Sequence, residues 1–296
     1  MRGLLPAILL AVATALPAWA TEVPKAVVSD VRISTPARAD EVRVAVDMAL
    51  EGDETLAAHT AKVLGASGGY ATLRGLRTLL RHDAESVRLA ALEAIERVAL
   101  RSDKLAERVH AIARDDDHSL KERVAAIEAL AAIGDGGDME LLLTLASRET
   151  PQVPLRAAAF RAMSRISGAR LPYVHARWSY WWEKQGTRKQ GLLEKSILAI
   201  NEEPEGDGVE IYAAVIESLA WLDLPYTRDA VKSWLQGAEP KLRPLAIRLA
   251  GLLRLADLTD DLISISKRRR SADLSQQALA SLKLLGWVPR EDVEKD

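Results

Sequence analysis

The sequence predicts an all-α fold, a right-handed α-solenoid of about seven helix pairs, and three observations carry that reading. An alanine- and leucine-rich block recurs: Val87-Arg88-Leu89-Ala90-Ala91-Leu92 is matched by a block starting at Arg123 and another at Arg156, with Arg88 to Arg123 spanning 35 residues and Arg123 to Arg156 spanning 33. Self-similarity at such a period marks stacked supersecondary units. Aromatic residues make up only 4% of the chain and Phe160 is its one phenylalanine, so small alanines must let helices approach closely. Turn residues punctuate the blocks at Asp115-Asp116-Asp117, at Gly134-Asp135-Gly136-Gly137 and at Pro151 before Pro154.

In chain order, residues 1–20 read as a secretory signal peptide. Arg2 precedes an apolar run from Leu4 to Leu16, Pro17 breaks it, and Ala18-Trp19-Ala20 supplies small residues for cleavage before Thr21. That run is too short to span a bilayer, and no later stretch approaches the roughly twenty apolar residues a transmembrane helix needs. Residues 21–37 form an extended lead. Residues 38–170 hold the N-terminal repeats, beginning with a pair whose helices bury Val42, Val46, Ala49 and Leu50, then Leu56, Thr60, Val63 and Leu64. In the clearest unit Val87, Ala91, Ala94, Ile95 and Val98 fall on one helical stripe. Second helices are marked by Leu105, Val109 and Ile112, and by Met139, Leu142 and Leu145. Between Arg156 and Tyr212 the spacing grows by about one helix, which places a tryptophan-rich insert and an acidic loop at 171–206. Looser repeats occupy 207–288, and 289–296 is a polar tail.

The helix Val87-Arg88-Leu89-Ala90-Ala91-Leu92-Glu93-Ala94-Ile95, after an acidic turn such as Asp83, resembles the HEAT repeat, especially the short bacterial form grouped with phycobilisome-lyase HEAT-like repeats. The likeness covers about 38 to 286, and the W-x-x-W-W insert resembles one in secreted bacterial proteins of this kind. It implies that Arg88, Arg123, Arg156 and Arg243 pair with turn acids and stitch neighbouring units, with a break where Tyr212 and Ser275 replace the arginine. It also implies that the Val-Arg helices line a concave face.

Little in the chain points to chemistry. No cysteine is present, so disulfides, thiolate nucleophiles, cysteine-bound metals and a lipid-anchoring cysteine are excluded. The formal net charge of −2 lacks the basic excess of a nucleic-acid binder. Gly65-Ala66-Ser67-Gly68-Gly69 matches a nucleophile elbow literally, but that motif needs a strand before it. Gly65 reads instead as the left-handed end of a helix closing at Leu64, with Ser67 capping the next. The five histidines, His59, His82, His110, His118 and His175, lack metal-ligand spacing. Residues 202–208 concentrate acids without a calcium-loop pattern, and Lys267-Arg268-Arg269-Arg270 suits a helix C-terminus. No cofactor and no metal are expected.

The expectation is therefore a non-catalytic protein-interaction scaffold, periplasmic or secreted, from a bacterium with a GC-rich genome as the alanine, arginine and leucine bias suggests. Glu93, Glu128, Arg161, Glu217 and Arg248 lie opposite the buried stripes and should project into one groove that meets a protein partner. The alternative is carbohydrate or peptide binding through Trp178, Trp181 and Trp182 with Tyr180. Against it stands a helical stripe of Val174, Trp178, Trp181 and Trp182 that would be buried as a joint cover. A lyase-like enzyme of the HEAT-like family ranks third.

Overall fold

The computed structural model describes residues 38–288, apart from 207, 238, 269 and 270. The expected signal peptide, extended lead and polar tail lie outside the described residues. Those residues are helical almost throughout. In order they form α1 (Ala39–Glu51), α2 (Glu54–Ser67), α3 (Thr72–Leu79), α4 (Glu85–Val98), α5 (Asp103–Arg114), α6 (Leu120–Ile133), α7 (Met139–Leu145) and α8 (Val153–Ser167). Then come α9 (His175–Trp181), a π-helical turn Trp182–Gly186, α10 (Thr187–Glu202), α11 (Val209–Leu219), α12 (Leu224–Gln236), α13 (Arg243–Leu252), α14 (Thr259–Ser266) and α15 (Ala272–Leu284). No helix among the described residues is long and apolar enough to cross a membrane.

The fold is an α-solenoid of two layers. First helices stack directly, α2 on α4, α4 on α6, α6 on α8, and later α13 on α15. Their periodic stripes are the reason: Val87, Ala91, Ala94, Ile95 and Val98 are all buried, as are Leu105, Val109 and Ile112 on the second helix α5. Capping fixes where helices begin. The Asp53 side chain accepts from the Leu56 amide at 2.8 Å, and Ser119 with Glu122 makes a reciprocal capping box on α6.

The first unit departs from the sequence reading. Instead of α1 pairing with α2 as one repeat, α2 joins the first-helix layer with α3 as its second helix, and α1 leans on both. Small residues decide this. A Cβ on Gly65 would lie 2.7 Å from the Cβ of Ala94, so only glycine lets α2 approach α4 this closely. The buried stripe of α2 is Ala57, Thr60, Ala61, Leu64 and Gly65, whereas Leu56 and Val63 are exposed, and so is Leu50 on α1. Gly65 is thus helical, and the left-handed residues after α2 are Gly68 (φ 64°) and Gly69 (φ 81°).

The repeated arginines serve mainly as caps for the preceding helix or turn. Arg88 donates to the carbonyls of His82 and Asp83, Arg123 to Ala113, Arg156 to Thr150, and Arg243 to Leu235 and Gly237. Each so satisfies carbonyls that the end of a helix leaves without a partner. Pairing with a turn acid occurs at Arg123, which also bonds Asp116, while Arg88 reaches the next unit through buried Glu122. Ser275 keeps the capping role by donating to the Ser266 carbonyl, so the ladder continues there.

The largest departure is that the solenoid folds back on itself. The turns after α2, α4 and α6 meet, in that order, the turns after α15, α13 and α11. Tyr70 donates its amide to the Leu285 carbonyl at 2.9 Å, and a Cβ on Gly286 would lie 2.6 Å from Gly69. Arg101 forms a β-bridge with Leu255. Gly136 abuts the Leu222 carbonyl, and the Leu224 amide donates to Asp135 at 3.2 Å. Two arms, joined through 168–208, therefore meet along a seam built from their inner turns. The two non-glycine residues with positive φ among those described, Ala99 (49°) and Arg254 (53°), both lie in the turns that meet at its centre.

Candidate functional site

The five groove candidates separate into two sets. Glu93, Glu128 and Arg161 stand on α4, α6 and α8 of the N-terminal arm, whereas Glu217 and Arg248 stand on α11 and α13 of the other. The fold-back thus puts three of the five on the first helices of one arm and two on those of the other. Glu93, Arg161, Glu217 and Arg248 are exposed, but Glu128 is only 24% exposed because Arg161 lies over it and bonds its carboxylate. On the second arm Arg248 pairs with Glu210 at 2.8 Å and approaches Glu217 at 3.7 Å.

The N-terminal face curves inward. Arg165 on α8 donates to Glu96 on α4 at 2.8 Å, passing over α6. Neighbouring helices pack about 8–10 Å apart, so in a flat layer α4 and α8 would lie roughly twice that distance apart. The bridge requires their C-terminal ends to converge. Between α4 and α6 lies an open groove of about 450 Å³ lined by Leu89, Leu120, Val124 and Ala125 together with Glu93, Glu96, Glu128 and Lys121. Leu120, 40% exposed, was missed in the sequence because it sits at the first position of its helix, outside the repeating pattern.

The tryptophan insert packs against the core. Trp178 is fully buried and its Nε1 donates to the Pro172 carbonyl at 3.1 Å. Its ring meets Trp181 edge-on at 5.9 Å, and Trp182 and Trp221 continue the series at 6.4 and 6.5 Å. Trp181 and Trp182 are half-buried, and the expected fourth member of the stripe, Val174, is 47% exposed. It precedes α9 with an extended backbone, so helical spacing does not apply to it. Tyr180 is the freely exposed aromatic of the helix, at 66%.

The most strongly polar buried cluster lies in the seam. Asp135 and Asp138 are almost inaccessible; Arg101 bridges them at 3.3 Å each, and His110 bonds Asp138. Arg228 ties Asp103 of one arm to Asp257 of the other. In the sequence Asp135 looks like turn punctuation, and nothing marks Asp138, Asp103 or Asp257. Ser67 of the apparent elbow donates to the Val63 carbonyl at 2.9 Å within its own helix. Among the described residues no group of histidine and acidic side chains is placed to hold a metal ion.

Burial pushes the Asp135 carboxyl up to about 6, with Arg101 opposing and the neighbouring Asp138 adding to the shift. Burial acts the same way on Asp138, but its bond from His110 and the Arg101 charge outweigh it and hold that group below the ordinary value. A raised carboxyl pKa in the folded state gives stability that is complete below the unfolded value near 4 and is lost as pH rises through 6. Unfolding stability is therefore expected to increase by on the order of 2–3 kcal/mol between pH 8 and pH 4.5 from Asp135. Below pH 4 it falls as Asp138 protonates. Urea titrations across that range check this, and a flat profile from pH 8 to 4.5 would contradict it.

The architecture defines a helical-repeat protein. No protein-family model and no curated protein matches the chain. Solved structures similar to it include human deoxyhypusine hydroxylase in complex with glycerol, at 13% identity over 83% of this chain and 96% of that one, with a TM-score of 0.37. A designed armadillo repeat protein is similar at 16% identity over 82% and 99%, TM-score 0.33. An engineered protein is similar at 15% over 83% and 98%, TM-score 0.32.

Proposed function

We propose that this protein is a non-catalytic scaffold, exported to the bacterial envelope, that holds a protein partner against the first-helix face of its N-terminal arm. One observation carries the reading: an inward-curving face with an open groove in which apolar Leu89, Leu120 and Val124 adjoin Glu93 and Glu128. Apolar side chains give such a surface its affinity, and the charged rim gives it selectivity. The seam occupies the inner turns of both arms, so this face stays free for a partner. Export rests on the signal-like residues 1–20 and is checked by N-terminal sequencing of the envelope form, where Thr21 is the expected first residue.

Glu93→Lys tests the face. Glu93 is exposed and has no ion pair among the described residues, so the unfolding free energy should change by no more than about 0.5 kcal/mol. Capture of the native partner from the protein's own host, identified by mass spectrometry with the wild-type chain, should fall at least tenfold. Equal yield with the variant would place the partner elsewhere, with exposed Tyr180 the next position to alter.

A further inference from the structure

The N-terminal first-helix face, on which the scaffold reading rests, sorts its side chains into two bands. Toward the N-terminal ends of α4, α6 and α8 lie Leu89, Leu120, Val124 and the exposed Val153. Further along the same helices lie Glu93 and Glu96 on α4, Glu128 on α6, and Arg161 and Arg165 on α8. Apart from Lys121, which stands beside Leu120 at the start of α6, the charged residues are themselves ordered, with acid on α4 and α6 and base on α8.

The two cross-helix pairs, Glu128–Arg161 and Glu96–Arg165, are part-exposed. Pairs of that kind contribute little, so they open readily to a competing charge. Glu93 stands beside them with no ion pair among the described residues. A polyanion would meet the three glutamates, and a polycation would meet the two arginines. A segment carrying one charge at each end is complementary to both.

We propose that this face binds an amphipathic peptide segment of a protein partner, with an apolar edge over Leu89, Leu120 and Val124, a lysine or arginine over α4, and an aspartate or glutamate over α8. A groove of about 450 Å³ is of the size that takes a few side chains of such a segment. Apolar burial supplies the attraction, and the acid-to-base order across the helices fixes which way the segment lies.

A phage-displayed random dodecapeptide library, panned on the full mature chain at low salt, tests this. Enriched peptides should hold an apolar centre flanked by a basic residue on one side and an acidic residue on the other. Their affinity should fall at least tenfold on Leu120→Asp. That substitution places an acid at the first turn of α6, where the helix favours one, so helical circular dichroism should be retained. Panning on Glu93→Lys should replace the basic end by a neutral or acidic one.

Peptides that need Leu120 but carry a single sign of charge would overturn the bipolar partner and leave the docking face standing. Peptides that bind Leu120→Asp unchanged, or a library that yields no binder, would overturn this proposal. In the first of these cases, continued capture of the native partner by Glu93→Lys would remove the docking face as well.

Discussion

Arg101→Leu is expected to destabilise the protein by about 3–5 kcal/mol, because removing one partner of a buried ionic group leaves the others uncompensated. Asp135 and Asp138 are 1% exposed and share this guanidinium, which also donates to the Ile133 carbonyl at 3.2 Å. With Arg101 gone, two buried carboxylates three residues apart would have to stay charged without their shared cation or take up protons. The seam should therefore loosen first, and limited proteolysis should cut the 99–102 and 253–257 turns before the helices melt. Adding Asp138→Asn to the variant should recover part of the loss. A change below 1 kcal/mol in urea unfolding would show that the acids are compensated without Arg101.

Trp178→Ala should cost a similar amount, on the order of 3–5 kcal/mol, since it empties the site of a fully buried indole and removes one of the two donors to the Pro172 carbonyl, the Val174 amide being the other. Trp181→Ala should cost clearly less. That ring is half-buried, with the Lys189 amine 5.8 Å from its centre. Chemical denaturation of both variants ranks them, and a larger loss at Trp181 would reverse the assignment of the core member. The sequence alone marks the cluster as a joint cover without saying which indole is innermost, because Val174, Trp178, Trp181 and Trp182 share a helical spacing only if the helix starts before Val174. It starts at His175.

What periodicity can express, the sequence expressed. The stripe Val87, Ala91, Ala94, Ile95, Val98 is buried as its spacing requires, and so are Met139, Leu142 and Leu145. Gly65 shows where local reading stops: a glycine near a helix end looks like a terminator, but this one answers a contact with Ala94 in the next unit. The seam was invisible for a related reason. Backbone groups of Tyr70, Leu224 and Leu285 make much of it, and they leave no side-chain signature. Its buried acids Asp135 and Asp138 sit within and just after Gly134-Asp135-Gly136-Gly137, a string that any exposed turn could carry. Of the candidate site, the charged row was legible as the side opposite each stripe, whereas Leu120, Arg165 and the division between two arms depended on tertiary packing.

The fold-back changes how the chain can come apart. In an open array of repeats each unit touches only its neighbours, so stability is close to a one-dimensional sum and the terminal units fray independently. Here the turn after α2 is bonded to the turn after α15 through Tyr70 and Leu285. The unit near one end and the unit at the other are then neighbours, and neither can fray without breaking the hydrogen bond that holds the other. Such closure favours a single all-or-none melting transition over stepwise peeling, and its cost is kinetic, since contacts between distant parts of a chain are the slowest to form.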